Sequence, residues 1–341
     1  MKYSFKSDYC ELAHPQVLEA LCAVGVRQFD GYGLDGYSMK AAEHIKALIM
    51  APSCDVHFIA GGTLTNLVLI STALRPHEAV IAPDNGHIFV HETGAIEATG
   101  HKICVVECDD GKLCVGDIEA VVTEHCDEHM VKPRLVYISL STEKGTVYSK
   151  AELLAISEYC RRSNLFLYLD GARLGAAINS PACDLTYSDI ASLADVFYIG
   201  GTKNGALFGE ALVICSDDLK ADFRFNLKQR GALLAKGAAI GVQFEALMKN
   251  GLYDELAILA NSMAFRLADG IRGLGYGFLY PPTTNLLIPV FPSRVAERLH
   301  QLYDFHDWQK SGDMTSVRLV TSWATHDSIV DEFIIDLANS V

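Results

Sequence analysis

The sequence predicts an α/β fold, with a large three-layer domain built on a mostly parallel sheet and a smaller α+β domain at the C-terminal end. Short apolar runs alternate with longer segments of helical periodicity, and near-continuous apolar strands separated by helices are typical of a sheet covered on both faces. The pattern changes near residue 245, where long helices and fewer strands follow. We therefore predict a large domain over residues 1–245 and a smaller one over residues 246–341, which the N-terminal segment contacts.

Each predicted element rests on its hydrophobic pattern. Runs of four to seven mostly apolar residues, many of them β-branched, predict strands: 56–60, 79–82, 102–106, 135–140, 165–169, 196–199 and 211–215 in the large domain, and 285–291 and 317–322 in the smaller one. Apolar residues at helical spacing predict helices: about 64–74, 117–124 and 150–162 in the large domain, and 254–272, 294–303 and 328–338 in the smaller one.

Composition excludes several classes of protein. Half of the 341 residues are apolar and 21% are charged, which is globular rather than disordered. A net charge of −14 disfavours nucleic acid as a partner. No apolar run reaches the length of about 18 residues that spans a membrane, and the first residues do not resemble a secretory signal. Ten scattered cysteines without a CxxC pair indicate free thiols, no zinc ribbon and a cytoplasmic location.

Two segments at predicted strand ends have ligand-binding chemistry, since ligands bind beyond the carboxyl ends of parallel strands. Gly61, Gly62 and Thr63 stand between a strand and a helix, where free N–H groups and the helix dipole favour a phosphate; an ordinary turn is the alternative. Asp170 follows five apolar strand residues and needs a cationic partner if buried. Arg173 could be that partner, and a helix N-cap aspartate is the alternative.

Two further side chains follow strands in the same way. Lys203 lies among glycines after an apolar strand, where a dry pocket would make its amine a nucleophile; a solvated loop lysine is the alternative. His87 opens a helix, and His91 follows one turn later. Two histidines four residues apart could share a metal, but no third ligand stands nearby. The acidic and histidine-rich stretch 125–129 is interpreted as a solvated face, so no metal site is predicted.

Together these features suit pyridoxal 5′-phosphate. Lysine can form a Schiff base with its aldehyde, an aspartate can hold the pyridine nitrogen protonated, a histidine can stack on the ring, and a helix end can take the phosphate. Because Lys203, Asp170, His87 and Gly61–Thr63 are all predicted at one edge of one sheet, their combination is far more specific than any one of them.

The order of motifs then identifies a resemblance. The chain resembles the L-threonine aldolases, β-eliminating lyases of the aspartate-aminotransferase-like fold (fold type I), over nearly its whole length. The segments that carry it are SDYCELAHPQVLEAL, DGYGLD, GGTLTN, GHIFVHETGA, LDGARLGAA, GGTKNGALFGEALV and SVRLVTSW. They are similar to the family's opening segment, its D-x-Y-G-x-D stretch, its S-G-T-x-x-N loop, its S-H-I-F and E-x-G-A segment, its D-G-A-R, its lysine segment and its R-x-V-T strand.

The resemblance implies roles at the cofactor. Lys203 would carry the cofactor covalently, Asp170 would contact the pyridinium nitrogen and His87 would stack on the ring. The amides of the Gly61–Thr63 turn would bind the phosphate. Thr202 stands where the family has a serine before the lysine, and would also contact the cofactor.

The resemblance also implies roles at the substrate. Arg318 would bind the substrate carboxylate, a bidentate task that suits its planar fork. Arg173 would lie near the substrate and the cofactor hydroxyl, and Ser7 would assist at the carboxylate. Tyr32 lies in a segment that reaches the neighbouring subunit's site in the family, so the resemblance implies a homodimer or homotetramer with shared sites.

One segment departs from the family. Its E-N-T-H segment, whose histidine lies near the substrate's β-hydroxyl, reads LSTEKG here. Thr142 or Glu143 stands in the place of that histidine, or His87 and His91 suffice for its task.

The resemblance as a whole implies a lyase that cleaves L-threonine, L-allo-threonine or related β-hydroxy-α-amino acids to glycine and an aldehyde. A β-eliminating lyase or aminotransferase acting on another L-amino acid is the alternative, and a non-catalytic protein of the same fold is a third interpretation.

Overall fold

The structure is a computed structural model that describes residues 2–340. Its α-helices are α1 (Pro15–Val24), α2 (Gly36–Leu48), α3 (Gly62–Ala73), α4 (His87–Val90), α5 (Val115–Glu124), α6 (Lys150–Arg162), α7 (Leu174–Ile178), α8 (Tyr187–Leu193), α9 (Phe223–Gln229), α10 (Ala238–Met248), α11 (Leu252–Gly273), α12 (Ser293–His300) and α13 (Asp327–Ala338). Short 3₁₀ helices cover Glu97–Thr99 and Asp217–Leu219. None of the helices within residues 2–340 is long and apolar enough to cross a membrane.

The strands form two larger sheets and one short pair. They are β1 (Tyr3–Ser4), β2 (Asp55–Ile59), β3 (Glu78–Pro83), β4 (Ile103–Val106), β5 (Lys132–Ser139), β6 (Phe166–Asp170), β7 (Val196–Gly200), β8 (Glu210–Ile214), β9 (Gly277–Phe278), β10 (Leu286–Leu287), β11 (Pro289–Pro292), β12 (Tyr303–Asp304), β13 (His306–Ser311) and β14 (Met314–Val320). In the pair, β1 lies parallel to β12.

The seven-stranded sheet has the order β2-β8-β7-β6-β5-β3-β4. All neighbours are parallel except those that involve β8, which runs antiparallel to both β2 and β7. Consecutive residues of β5 alternate between two hydrophobic cores: Val136 and Ile138 face one, Leu135 and Tyr137 the other. A sheet covered on both faces makes three layers, so the predicted three-layer domain with a mostly parallel sheet is confirmed.

A second, antiparallel sheet is centred on β14, which pairs with β10, β11 and β13, while β9 pairs with β11. Its core combines this sheet with α11, α12 and α13, and Phe5 from the N-terminal segment is fully buried in it. α10 crosses residue 245, and α11 supplies side chains to both the first core and this one. The division between residues 1–245 and 246–341 therefore stays a prediction.

Elements with a clear hydrophobic pattern lie close to their predicted positions, and α6 has the predicted bounds. The predicted strand 285–291 is two strands, β10 and β11, which flank Ile288. β13 has no predicted counterpart, because its residues are polar and mostly exposed, so no alternation marks it as a strand. It is a strand because it pairs with β14.

Candidate active site

A cavity of about 620 Å³ opens at the carboxyl edge of the parallel strands and brings most of the predicted site residues together. Sequence analysis named these lining residues: Gly61, Gly62, Thr63, His87, His91, Glu143, Asp170, Arg173, Thr202, Lys203 and Arg318. The large sheet supplies the floor, and Arg318 reaches the cavity from β14 of the second sheet. Residues far apart in the chain therefore meet where the two sheets adjoin.

The N-terminus of α3 faces the cavity without a cap. Gly61 precedes the helix in an extended conformation, no side chain caps the helix, and its first turn contains no acidic residue. A side chain at Gly61 would extend into open space, and one at Gly62 would lie 3.4 Å from Oη of Tyr198. Packing within the chain therefore does not explain the glycine at position 61, whereas an anion seated on the first-turn N–H groups does.

Asp170 ends β6 and is 4% exposed. Its Oδ2 accepts a hydrogen bond from Tyr137 Oη at 2.6 Å, and its Oδ1 accepts from Tyr198 Oη at 2.5 Å and from the amide of Ala172 at 3.0 Å. Two buried tyrosine hydroxyls thus hold Asp170 in place as a hydrogen-bond acceptor. Neither of the roles considered from the sequence, a partner of Arg173 or a helix N-cap, explains the position of this carboxylate.

Arg173 pairs with Asp8 rather than with Asp170, which corrects the expectation from the sequence. Arg173 Nε donates to Asp8 Oδ2 at 2.7 Å and Nη2 donates to Oδ1 at 3.0 Å, and both side chains are almost fully buried. Asn285 Nδ2 also donates to Asp8, at 3.0 Å. Burial opposes the charge on Asp8, but Arg173 outweighs it, and the pKa of Asp8 is lowered. The fork of Arg173 is therefore fixed by the N-terminal segment.

Lys203 follows β7 in a loop that a buried carboxylate anchors. Glu210 Oε2 accepts from the amide of Gly201 at 2.9 Å, and Oε1 accepts from Thr202 Oγ1 at 2.7 Å. Burial raises the pKa of Glu210 to about 7. The amine of Lys203 itself has no hydrogen bond or ion pair with any residue between 2 and 340. An amine in a cavity without a partner is free to react with an electrophile.

His87 is held by Glu92. Its Nδ1 lies 2.8 Å from Glu92 Oε1, and Asn66 Nδ2 donates to the same oxygen at 2.6 Å. Burial opposes the charge on His87, but Glu92 and other nearby carboxylates outweigh it, and the pKa of His87 is raised. The ring of His91 lies 5.4 Å from that of His87, centroid to centroid, and partial burial lowers the pKa of His91. The pKa values of the two neighbouring imidazoles are therefore shifted in opposite directions.

Asn66 joins the histidine side of the cavity to Asp170. Besides its bond to Glu92, it contacts Asp170 Oδ2 at 3.4 Å, and its Oδ1 accepts from Tyr168 Oη at 2.6 Å. These side chains are buried. A polar network of this kind restricts the orientation of the side chains that it joins.

Arg318 and Glu143 face each other across the other side of the cavity. Nε of Arg318 is buried and has no hydrogen-bond partner among the described residues, and Nη2 lies 4.0 Å from Glu143 Oε2. Glu143 Oε1 lies 3.9 Å from Nη1 of Arg173. Burial opposes the charge on Glu143, but the arginines and Lys203 outweigh it and lower the pKa of Glu143 to about 2. A guanidinium with an unpartnered Nε fits a carboxylate from a ligand.

Two predicted residues lie outside this cavity. Ser7 is buried, and its Oγ accepts from the amide of Tyr9, whose side chain does line the cavity. Tyr32 is exposed: its carbonyl accepts from Arg224 Nη2 at 3.1 Å, and Lys228 Nζ lies 4.2 Å from its ring centroid. Their predicted roles therefore stay predictions.

Sequence analysis missed three carboxylates: Asp8, Glu92 and Glu210. Each stands inside a segment that carries the family resemblance, in SDYC, HETGA and FGEALV. That position was a usable signal for all three. Only the structure shows that each one fixes a predicted site residue.

The fold is that of the aspartate-aminotransferase-like enzymes of fold type I. A solved aspartate aminotransferase of Thermus thermophilus is 15% identical, aligns over 99% of this chain and 91% of its own, and has a TM-score of 0.72, which is a likeness of fold alone. In this chain, Asp170 at the end of β6 and Lys203 after the neighbouring strand β7 line the same cavity.

The chain belongs to the β-eliminating lyase family, whose model matches residues 5–291. It is 31% identical to a low specificity L-threonine aldolase of a Pseudomonas species, over 90% of this chain and 88% of that one. It is also similar to a solved threonine aldolase of Leishmania major, at 48% identity over 99% of both chains, with a TM-score of 0.97. The predictions of family, fold class and a lyase enzyme are therefore confirmed.

Proposed function

We propose that this chain is a pyridoxal 5′-phosphate-dependent, low-specificity L-threonine aldolase. It cleaves L-threonine, L-allo-threonine or related β-hydroxy-α-amino acids to glycine and an aldehyde. The observation that carries the proposal is the convergence of Lys203, Asp170, the open end of α3 and Arg318 on one cavity. The similarity of the chain to threonine aldolases of a Pseudomonas species and of Leishmania major supports the proposal.

The donor set of the cavity fits the cofactor. The uncapped N–H groups of α3 suit its phosphate, and Asp170, an acceptor held by two tyrosines, suits a protonated pyridine nitrogen. His87 would stack on the ring, and the unpartnered amine of Lys203 would join the aldehyde. When bound, the cofactor accepts the electron pair that cleavage leaves on the substrate's Cα.

The remaining residues act on the substrate. Arg318 binds the α-carboxylate through its unpartnered Nε, which fixes the orientation of the bonds at Cα. His91 takes the proton of the β-hydroxyl, because its lowered pKa leaves the imidazole unprotonated near neutral pH. The Cα–Cβ bond then breaks and the aldehyde leaves. Lys203, which the substrate's ammonium group would have displaced from the cofactor and left protonated, would return that proton to Cα, and glycine is the product.

The test combines colour and product. The purified protein is examined for the absorbance of lysine-bound cofactor, and L-threonine is then added with alcohol dehydrogenase and NADH. Oxidation of NADH reports acetaldehyde and supports the aldolase. A coloured protein that instead forms pyruvate and ammonia from L-serine would favour the alternative, β-elimination. A protein that stays colourless with added cofactor would overturn the proposed site and leave a non-catalytic protein of this fold.

A homo-oligomer, dimer or tetramer, is part of the proposal. Several large apolar side chains of the N-terminal segment and of α4 are exposed in the single chain, among them Leu12, Val26, Leu34, Phe89 and Val90. Burying such side chains against a second copy would favour association. Sedimentation of the purified protein measures the state directly. A cytoplasmic location is likewise proposed, and ten free cysteines support it.

A further inference from the structure

Glu143 is a buried carboxylate with unused capacity to accept hydrogen bonds. It lines the cavity and is 9% exposed. Its two nearest cations, on Arg173 and Arg318, stand at 3.9 and 4.0 Å, which is beyond hydrogen-bond length. Among residues 2–340 no group donates a hydrogen bond to it. A ligand in the cavity therefore meets two free acceptor atoms with a full negative charge.

The loop around Glu143 is fixed by its neighbours. Thr142 Oγ1 and Thr146 Oγ1 lie 2.7 Å apart, and the amide of Thr142 donates to the carbonyl of Thr146 at 3.0 Å. Lys144 Nζ donates to the carbonyl of Cys108 at 2.6 Å. The side chains on either side of Glu143 thus form their hydrogen bonds outside the cavity. Of this loop, only Glu143 lines the cavity. A group held in this way needs little rearrangement to bind a ligand.

Arg318 offers the opposite charge on the same cavity, with its Nε unpartnered. Nη2 of the same guanidinium lies 4.0 Å from Glu143 Oε2, so a donor group and an acceptor group stand side by side, which matches an amino acid with an α-carboxylate and a donor on its β-carbon. We propose that Glu143 is a specificity-determining residue: when the substrate binds, and before the proton passes to His91, Glu143 accepts a hydrogen bond from the substrate's β-hydroxyl, and it excludes amino acids with a β-carboxylate. This inference rests on the proposed function, and it names the class of β-substituent that the site takes.

A carboxylate at this position selects more strictly than an imidazole. A neutral histidine can donate or accept, whereas an ionised carboxylate only accepts. The cations around Glu143 keep it ionised, since they lower its pKa to about 2. A second carboxylate placed opposite Glu143 would be repelled in a site partly shielded from water.

The test measures equilibrium binding to the holoenzyme through the change in cofactor absorbance. The ligands are glycine, which has no β-substituent, L-serine, which has a β-hydroxyl, and L-aspartate, which has a β-carboxylate. The variant is Glu143→Gln, and the control is Glu158→Gln on the exposed face of α6. Affinities are compared as ratios to glycine, because removing a charge beside Arg318 affects every α-carboxylate alike.

Relative to the wild type, we expect Glu143→Gln to bind serine less well: the ratio of its affinity for serine to that for glycine should fall about fivefold. The ratio of its affinity for aspartate to that for glycine should rise at least about tenfold. The control should keep both wild-type ratios. Unchanged ratios in Glu143→Gln would overturn the inference. If that variant does not hold cofactor, Glu143→Asp serves instead: it should keep the discrimination against aspartate and lose part of the serine preference, and free admission of aspartate would be the contrary result.

Failure here is distinct from failure of the proposed function. A wild-type protein that releases acetaldehyde from L-threonine, beside a Glu143→Gln variant with unchanged ratios, refutes only the role of Glu143. A wild-type protein without bound cofactor or acetaldehyde release refutes the proposed function itself.

Discussion

Arg173 and Asp8 form a buried, bidentate ion pair with N–O distances of 2.7 and 3.0 Å. The pair joins Arg173, which precedes α7 and lines the cavity, to the N-terminal segment. Asp8 lies three residues from Phe5, which is buried in the second core. The pair therefore connects the region that holds Lys203 and Asp170 to the region that supplies Arg318. Correct geometry at the cavity depends on a contact between residues 165 positions apart.

Asp8→Asn is expected to destabilise the protein by about 3–5 kcal/mol, because it leaves the guanidinium of Arg173 buried without its partner. Urea unfolding monitored by fluorescence or circular dichroism measures the change. The control is Asp269→Asn, which removes an exposed pair with Arg272 and should cost less than about 1 kcal/mol. Similar losses in the two variants would show that the buried pair is not a special contact.

Lys203→Ala is expected to lose the absorbance of lysine-bound cofactor, because no other amine lines the cavity among the described residues. The spectrum of the purified variant after incubation with pyridoxal 5′-phosphate measures this. Lys249→Ala, on the surface after α10, should keep the wild-type spectrum. A persisting band in Lys203→Ala would refute the assignment of the lysine.

Asp170→Ala is expected to weaken cofactor binding and to lower turnover of L-threonine at least on the order of 100-fold, because an unprotonated pyridine accepts electrons poorly. Asp170→Glu should recover part of the turnover, since it restores the charge. The measurements are the cofactor dissociation constant and kcat. Turnover near the wild-type value in Asp170→Ala would refute the proposed role of Asp170 at the pyridine nitrogen.

His91→Asn is expected to lower kcat on L-threonine by about 10²–10⁴, the usual contribution of a general base. Only unprotonated imidazole can accept the hydroxyl proton. Since the pKa of His91 is lowered, the acid limb of the wild-type profile should have its midpoint below the ordinary histidine pKa of about 6.5. The limb should vanish in His91→Asn and persist in His129→Asn, an exposed loop control. An unchanged limb in His91→Asn would assign the base elsewhere.

Glu210→Gln is expected to change how stability depends on pH. Burial raises the folded-state pKa of Glu210 to about 7, whereas the unfolded value is about 4.3. Folding therefore favours the protonated acid, and stability from this group is lost as pH rises from about 4.3 to about 7. Relative to Glu210→Gln, the cofactor-free wild type should lose up to about 3 kcal/mol over that range. Glu158→Gln should follow the wild type. Parallel curves for wild type and Glu210→Gln would contradict the shifted pKa.

Sequence analysis located the site because its main candidate residues stand at or just after the ends of strands that are apolar throughout. Asp170 and Lys203 are two examples. Asp8 could not be found in that way, because it lies in an irregular polar segment with no periodicity, and its partner lies far along the chain. Glu210 was missed for a topological reason. The sheet was predicted as mostly parallel, and in a parallel strand Glu210 would begin at the opposite edge. Only the reversed direction of β8 brings the start of that strand to the edge that holds Lys203.

The sharing of α11 between two cores has a mechanical consequence. Its first turns pack with Leu252, Tyr253 and Leu256 in the core of the large sheet, and its later turns pack with Leu267 and neighbours in the second core. The helix is 22 residues, or about 33 Å, long. It acts as a common rod, so rotation of one sheet against the other must bend it. A stiff element shared by both cores thereby helps to keep the distance between Arg318 and the strand ends, and loss of either core would leave part of α11 unpacked.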